Sequence, residues 1–315
     1  MNPIFLVLLA AFGLGTGIAA AGEPRRVAIT VDDLPWAELA RTGDALASER
    51  SRRLVAALRG SHAIGFVNEQ KLEHDGAQVP SRVAMLEASL DTGLALGNHT
   101  YDHPGLHATP IETYERAILD GERVLRPLLE RRGLPLAWFR HPYLQAGRDD
   151  AIRARLATFL DARGYRIAPV TVDNGDWIYA RAYLEALAAD DATTALRLRR
   201  DFVDYIDAKF AFYEDASRRL FGREIPQVLL LHANALNADT MPALLARLAK
   251  RGYTFVSLET VLADPAYAHE DGYRGGAGIS WMHRWAMAER MPPAFYRGEP
   301  MVAQYALDLA GVEGE

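Results

Sequence analysis

The chain has 315 residues, of which 50% are hydrophobic and 24% are charged, and this is the composition of an ordinary globular protein. Its formal net charge of −6 argues against nucleic acid as the main partner, because phosphate binding requires clustered Lys and Arg. The absence of cysteine excludes disulfides, thiolate metal ligands and a lipoprotein anchor.

Residues 1–21 have the pattern of a secretory signal peptide. A short apolar core at 4–12 precedes Ala19-Ala20-Ala21, which fits the small-residue pattern of a cleavage site. No Lys or Arg precedes the core, so a retained N-terminal anchor remains the alternative. The apolar run is shorter than the about 20 residues of a spanning helix. We therefore expect a periplasmic or secreted protein with no membrane span in the mature chain.

Short apolar runs then alternate with amphipathic stretches along the chain. Seven runs predict strands, at 27–31, 63–67, 94–97, 137–140, 165–172, 227–231 and 254–258. Helical periodicity predicts helices at 45–58, 81–90, 111–130, 149–162, 181–220 and 241–250, and the stretch 181–220 is long enough for two. Alternating strands and helices predict parallel strands with helices outside them. The sequence thus indicates an α/β fold, a single-domain (β/α) barrel of seven strands over 22–263.

The periodic pattern ends near Asp264. Residues 264–315 are rich in Pro, Gly and aromatic residues, among them Trp281 and Trp285. We expect this C-terminal extension to pack on the barrel, because aromatic side chains mostly bury area. Lining a substrate groove is the alternative.

Five of the predicted strands end in polar residues that can ionise. These residues are Asp32 and Asp33, His99 and His103, Arg140, Asp173 and Asp176, and His232. In barrels of this class the active site gathers at the C-terminal ends of the strands. We therefore expect these side chains to lie close together.

The spacing of His99 and His103 indicates a metal site. On one helical turn, two histidines four residues apart would reach the same ion, although a solvated helix also produces this spacing. The pair Asp32-Asp33 can supply a third ligand and a separate base, although such pairs also cap helices and form turns. Two histidines and one carboxylate leave coordination positions open, as in a catalytic site. This pattern favours a hydrolase that activates water.

Five ordered motifs resemble those of the polysaccharide deacetylases, the NodB-homology group also called carbohydrate esterase family four. They are Thr30-Val31-Asp32-Asp33, His99-Thr100-Tyr101-Asp102-His103, Arg140-His141-Pro142-Tyr143, Asp173-Asn174-Gly175-Asp176-Trp177 and Leu230-Leu231-His232. The resemblance runs from Val27 to about Leu262. It implies a distorted seven-stranded barrel and a divalent metal, usually zinc and sometimes cobalt or another ion.

By motif position, the resemblance implies a ligand set and a base. Asp33, His99 and His103 would bind the metal. Asp32 would deprotonate the metal-bound water, and Arg140 would pair with Asp32 to keep it ionised and oriented. A cation beside a carboxylate lowers its pKa, which is consistent with this arrangement.

The resemblance also implies an acid and groups that contact the substrate. His232 would protonate the departing amine or alcohol, and Asp176 would orient it, with Trp177 packed beside the pair. The backbone N–H of Tyr143 would help to hold the oxyanion. An amine leaving group needs a proton, and a histidine charged through a nearby carboxylate can supply it.

Two positions depart from the family pattern. Leu34-Pro35-Trp36 follows the first motif where glycine is commoner, and Trp36 either stacks on a sugar ring or packs in the interior. Asn234, two residues after His232, either contacts the substrate or shapes the loop before a helix at Ala238.

The sequence predicts a secreted metal-dependent deacetylase whose partner is an acetylated glycan. The favoured reaction is N-deacetylation of N-acetylglucosamine units. One alternative is an O-acetyl glycan esterase, acting for example on acetyl-xylan. The others are a cyclic-amide hydrolase on the same fold and a non-catalytic glycan-binding barrel. Both histidines and Asp33 are present, which argues against the cyclic-amide hydrolase. A non-catalytic barrel would be expected to have lost the base or a ligand, and this sequence has lost neither.

Overall fold

A computed structural model describes residues 24–315, so the predicted signal peptide lies outside the described residues. The strands form one parallel sheet of seven strands and a separate two-stranded hairpin. In chain order they are β1 (Arg25–Leu34), β2 (Ile64–Val67), β3 (Glu73–His74), β4 (Ala77–Gln78), β5 (Ala95–Asn98), β6 (Trp138–Phe139), β7 (Arg166–Ile167), β8 (Gln227–His232) and β9 (Tyr253–Phe255).

Helices connect most of the successive strands. They are α1 (Leu39–Thr42), α2 (Asp44–Ala57), α3 (Pro80–Asp91), α4 (Ile111–Asp120), α5 (Leu125–Glu130), α6 (Asp150–Ala162), α7 (Asp176–Ala188), α8 (Ala192–Phe221), α9 (Ala235–Lys250), α10 (Leu258–Leu262), α11 (Trp281–Ala288) and α12 (Gln304–Ala310). Within residues 24–315, none of these helices combines the length and the apolar character that a bilayer crossing requires.

The sheet has the strand order β7-β6-β5-β2-β1-β8, and β9 pairs with the first residues of β1. After β7 the chain reaches the opposite edge of the sheet, where Val172 pairs with Leu229 of β8. This pairing curls the sheet toward closure. The predicted α/β barrel of seven strands is therefore confirmed, and it is distorted because β6 and β7 are only two residues long.

The strands are apolar on both faces because the sheet is covered on both sides. Val27 and Ile29 of β1 belong to the large cluster of buried residues that includes the helices. Between them, Ala28 belongs to a smaller cluster with Phe66 and Val228 of the neighbouring strands. Successive side chains of β1 point to opposite faces of the sheet, so one apolar run contributes to two separate hydrophobic clusters.

The predicted helix at 111–130 is broken, and this is a correction. Helix α4 ends before Gly121, where a Cβ atom would lie 2.9 Å from the backbone carbonyl carbon of Thr100. The glycine therefore lets the chain approach the loop that follows β5. The stretch 181–220 is two helices, as expected, although α7 begins earlier than predicted, at Asp176.

The C-terminal extension contains α11 and α12, which the sequence analysis did not predict because Pro and Gly interrupt the periodicity. Trp281, Trp285 and Phe295 are buried, so these aromatic residues pack rather than form an open groove. Helix α12 lies against α7. The extension nevertheless contributes Gly278 and Glu315 to the wall of the cavity described next.

Candidate active site

A cavity of about 920 Å³ lies at the C-terminal ends of the strands. It is lined by residues that the sequence analysis singled out: Asp32, Asp33, His99, His103, Tyr143, Asp173, Trp177, His232 and Asn234. The structure thus brings together polar residues from β1, from the loops after β5 and β6, and from β8. Arg140 and Asp176 lie behind them, and both are fully buried.

His99 and His103 lie on a loop after β5, so the expectation of a helical turn is wrong. Thr100 and His103 have φ values of 67° and 58°, which a right-handed helix does not allow. The side chain of Asn98 accepts a hydrogen bond from Thr100 N (2.7 Å), and Thr100 Oγ1 accepts one from His103 N (3.1 Å). These local bonds replace the helical ladder. The two imidazoles still meet, with ring centroids 4.7 Å apart.

Asp33, His99 and His103 fit a metal ion. Their candidate ligand atoms all lie within 4.8 Å of one another. Asp33 Oδ1 is 4.0 Å from His99 Nε2 and 3.9 Å from His103 Nε2. This oxygen is buried without a hydrogen-bond partner among the described residues, which is the state expected of an atom reserved for a cation. Two imidazoles and one carboxylate match the donor set of catalytic zinc sites.

A backbone carbonyl fixes the orientation of His99. His99 Nδ1 lies 2.8 Å from the carbonyl oxygen of Arg140, and because a carbonyl only accepts, Nδ1 carries the hydrogen. Nε2 therefore carries the lone pair, 4.0 Å from Asp33 Oδ1, so that both atoms could bind one cation. Burial, reinforced by the nearby His103, holds the pKa of His99 well below its usual value, so the ring stays neutral and able to bind a metal.

Lys71 contacts the same carboxylate from the other side, and the sequence analysis missed it. Its Nζ lies 3.3 Å from Asp33 Oδ2, which leaves Oδ1 directed toward the two histidines. Burial alone would raise the pKa of Asp33, but the surrounding positive charges, of which Lys71 is the strongest, together outweigh burial and hold that pKa below its usual range. Lys71 belongs to a short 3₁₀ helix, Glu69–Leu72, and no motif in the sequence indicates it.

Asp32 is a buried carboxylate beside the metal ligands. Its Oδ2 lies 3.7 Å from His99 Nε2 and 3.7 Å from Arg140 Nη1, and its Oδ1 has no hydrogen-bond partner among the described residues. Burial raises the pKa of Asp32 to about 6, and the charge of Arg140 limits that rise without cancelling it. Arg140 is itself anchored by donating from Nη2 to Thr30 Oγ1 (2.8 Å).

His232 and Asp176 form a close ion pair. His232 Nδ1 donates to Asp176 Oδ1 at 2.6 Å, and the backbone N–H of His232 donates to Oδ2 at 2.8 Å. Asn237, which the sequence analysis did not assign, also donates to Oδ2 (2.7 Å). Burial alone would lower the pKa of His232, but the charge and hydrogen bond of Asp176 outweigh burial and raise it to about 10. The imidazole is therefore charged at neutral pH.

Trp177 and Tyr143 are open to the cavity. Trp177 is 45% exposed at the start of α7, and Tyr143 is 58% exposed with its ring 4.5 Å from that of His103. Both rings can therefore contact a substrate. Tyr143 has a φ of 54°, within the short 3₁₀ helix Pro142–Leu144 that follows Arg140.

For Trp36 and Asn234 the burial of the side chain favours the second of the two roles that the sequence left open. Trp36 is fully buried, so its ring cannot stack on a sugar, and the packing alternative holds. Asn234 borders the cavity, but it is only 1% exposed and caps α9, where its Oδ1 accepts a hydrogen bond from Asn237 N (2.8 Å). The helix begins at Ala235 rather than Ala238, and the loop-shaping alternative describes Asn234 better.

The polysaccharide deacetylase family model matches residues 19–159. The matched segment contains Asp32, Asp33, His99, His103 and Arg140, so the resemblance that the motifs carry is confirmed. The segment with Asp176 and His232 lies beyond the match. A comparison with curated protein sequences found no match.

Solved structures of a CE4 family pseudoenzyme have a similar fold. The wild-type protein, from Bacillus anthracis, is 14% identical with a TM-score of 0.50, over 76% of this chain and 66% of that one. A mutant of it is 15% identical with a TM-score of 0.51, over 76% and 68%. Another mutant, with restored enzymatic activity, is 14% identical with a TM-score of 0.50, also over 76% and 68%. At these identities the likeness establishes the fold alone.

Proposed function

We propose that this protein is a metal-dependent deacetylase that removes N-acetyl groups from a glycan containing N-acetylglucosamine. One observation carries the proposal: the cluster Asp33, His99 and His103 shares one cavity with a buried carboxylate, Asp32, and a charged imidazole, His232. A metal-dependent hydrolase that attacks an amide with water combines a Lewis acid, a base and an acid around one carbonyl.

Asp33, His99 and His103 are the residues that would hold the metal, with Zn²⁺ as the best match to their donor atoms. A divalent ion there would supply a Lewis acid for water and for the substrate carbonyl. The chain prepares the site by keeping both histidines neutral and Asp33 ionised, because burial lowers the pKa of each histidine and Lys71 and His232 lower that of Asp33.

Asp32 and His232 carry the proton transfers. Asp32 Oδ1, which has no partner among the described residues, takes a proton from the attacking water. His232 holds Nδ1–H on Asp176 and so presents Nε2–H to the leaving nitrogen. With pKa values of about 6 and about 10, the carboxylate is ionised and the imidazole is charged at neutral pH, as a base and an acid must be.

The charged His232 favours an amide over an ester as the substrate. An amine leaves only when it is protonated, whereas an alkoxide or a phenolate needs less help. An O-acetyl glycan esterase remains the second candidate, because the same base and metal ligands would serve an ester. Trp177, exposed at the cavity wall, supports a sugar substrate because an aromatic face stacks on a pyranose ring.

Two other candidates are less well supported. A cyclic-amide hydrolase on this fold can lack the paired histidines, and this chain has both of them beside Asp33. A non-catalytic glycan-binding barrel would not need Asp32 and the His232–Asp176 pair buried together beside the ligand cluster. We further propose export to the periplasm or the exterior, on the strength of the apolar segment within residues 1–21.

A substrate panel tests the proposal. Purified protein, with its metal content measured on the same sample, is assayed for acetate release from chito-oligosaccharides and acetyl-xylan and for ring opening of cyclic ureides. We expect the highest kcat/KM on chito-oligosaccharides. Release from acetyl-xylan alone would assign an O-acetyl esterase, and inactivity on every acetylated substrate despite one bound ion per chain would refute the proposal.

A further inference from the structure

A buried lysine joins the C-terminal extension to the barrel. Lys209 of α8 is 2% exposed, and its Nζ lies 2.8 Å from Glu299 Oε1 and 3.0 Å from Glu315 Oε1. Both carboxylates come from the extension. Without these two carboxylates the buried ammonium group would lose both of its contacts at 2.8 and 3.0 Å, so this contact fixes where the extension docks.

Two tyrosines of the same helix divide the cluster into two branches. Tyr213 donates to Glu299 Oε1 at 2.6 Å, and Tyr205 donates to Glu315 Oε1 at 2.5 Å. The second oxygen of Glu315 accepts from the backbone N–H of Val302 (3.0 Å). The branches have the same chemistry but different neighbours.

Among the hydrogen bonds of residues 24–315, those of the Glu315 branch lead to the segment beside the acid of the candidate active site. The hydroxyl oxygen of Tyr205 accepts a hydrogen bond from Gly175 N at 2.8 Å. Gly175 is the residue before α7, and the first residue of that helix is Asp176, the partner of His232.

The packing at Gly175 leaves this segment little freedom. A Cβ atom there would lie 2.4 Å from Val302 Cγ2 and 3.3 Å from Glu315 Cδ, so the extension touches the backbone itself. Asn174 holds the other side, donating to Leu230 O (2.7 Å) and accepting from Asp176 N (3.0 Å). The start of α7 is thus clamped between β8 and the extension.

We propose that Glu315 is a positioning residue of the active site. Lys209 holds the Glu315 carboxylate, which accepts the hydroxyl hydrogen of Tyr205. The hydroxyl oxygen of Tyr205 then faces the N–H of Gly175. This contact keeps the next residue, Asp176, aligned on His232. The inference rests on the proposed function and deepens it, because the acid works only while Asp176 stays in hydrogen-bond contact with Nδ1. Displacements of about 1 Å at such a group are enough to lower turnover about 100-fold.

The two branches supply matched variants for the test. Tyr205→Phe and Glu315→Gln break the branch that reaches Gly175, whereas Tyr213→Phe and Glu299→Gln break the other. The charged fraction of the His232 ring is followed by NMR against pH in the full-length, Zn²⁺-loaded protein. We expect the first pair to lower the proton affinity of His232 about tenfold, which is one pKa unit, and the second pair to leave it unchanged.

Thermal unfolding is measured for all four variants, and each is expected to lose stability because each breaks a contact in the buried cluster. If Tyr205→Phe does not fold, Glu315→Gln carries the test. An equal shift of the His232 pKa in both pairs, or no shift in the first pair, would overturn the proposal. The NMR titration needs no turnover, so it separates failure of this inference from failure of the proposed deacetylase activity.

Discussion

Asp32 and His232 are paired partners at the ends of adjacent parallel strands, β1 and β8. Paired residues of a sheet point to the same face, so both side chains reach the same cavity. Their surroundings separate their pKa values, to about 6 for the carboxylate and about 10 for the imidazole. One backbone register thus brings a base and an acid into the cavity that contains the candidate metal site.

Replacing Asp32 separates turnover from metal binding. Asp32→Asn keeps the shape of the side chain but removes the base, so we expect kcat to fall by about 10²- to 10⁴-fold while one ion per chain is retained. Asp33→Asn is the matched variant next to it, and it should lose the ion together with the activity. Metal content and acetate release are measured on both proteins. Undiminished turnover in Asp32→Asn would remove Asp32 from the role of base.

Replacing His232 should matter most for poor leaving groups. In His232→Ala the departing amine finds no proton donor, so kcat on an acetamido sugar should fall by about 10²-fold or more. An activated aryl acetate, whose phenolate leaves unaided, should lose much less. Steady-state kinetics on the two substrates decide the point, and equal losses on both would contradict an acid role for His232.

The pair His232–Asp176 predicts a pH dependence. The pKa of His232 is raised from 6.5 to about 10, so the charged ring stabilises the folded state fully below pH 6.5 and this contribution is lost as the pH rises through about 10. Asp176→Asn should move the alkaline limb of kcat down toward pH 6.5 and should lower Tm more at pH 6 than at pH 10.5. A limb at the same pH in both proteins would show that another group controls it.

Metal binding should stabilise the fold. An ion that binds only the folded state, at about 100 times its Kd, raises the free energy of unfolding by about 2.7 kcal/mol. Zn²⁺ should therefore raise Tm for the wild type and not for His99→Ala or His103→Ala, which each lack one ligand. A Zn²⁺-dependent shift of the same size in the histidine variants would place the ion elsewhere in the chain.

The two tryptophans near the first and fourth motifs should behave oppositely. Trp177 is 45% exposed at the cavity, so Trp177→Ala should raise KM for an oligosaccharide, leave KM for a small aryl acetate unchanged and barely alter stability. Trp36 is fully buried, so Trp36→Ala should cost about 3–5 kcal/mol of stability. Kinetics and urea unfolding on both variants test this contrast, and an unchanged KM in Trp177→Ala would exclude stacking.

The sequence predicted the seven strands and the ionisable residues at their ends. Short apolar runs that alternate with helical stretches are local signals, and they indicate parallel strands whose ends meet at one edge. The loop of His99 and His103 was not predicted, because the side chains of Asn98 and Thr100 compete with the helical ladder. Whether Trp36 points inward or outward depends on the packing around it, which no local pattern encodes.

Long-range partners were the other part that sequence reasoning missed. Lys71 reaches Asp33, and Glu315 reaches Lys209, only because the fold brings distant segments together. Each of these charged residues would otherwise be read as an exposed side chain. The sequence led us to expect the C-terminal extension to pack on the barrel, with lining of a groove as the alternative, but it did not indicate that Glu315 borders the cavity.

Acetate release from chito-oligosaccharide by protein stripped of metal and then titrated with Zn²⁺ tests the central claim most directly. We predict that a chelator abolishes release and that activity returns in proportion to added Zn²⁺, with saturation at one ion per chain. Full activity in the stripped protein would contradict a metal site at Asp33, His99 and His103 as the centre of the reaction.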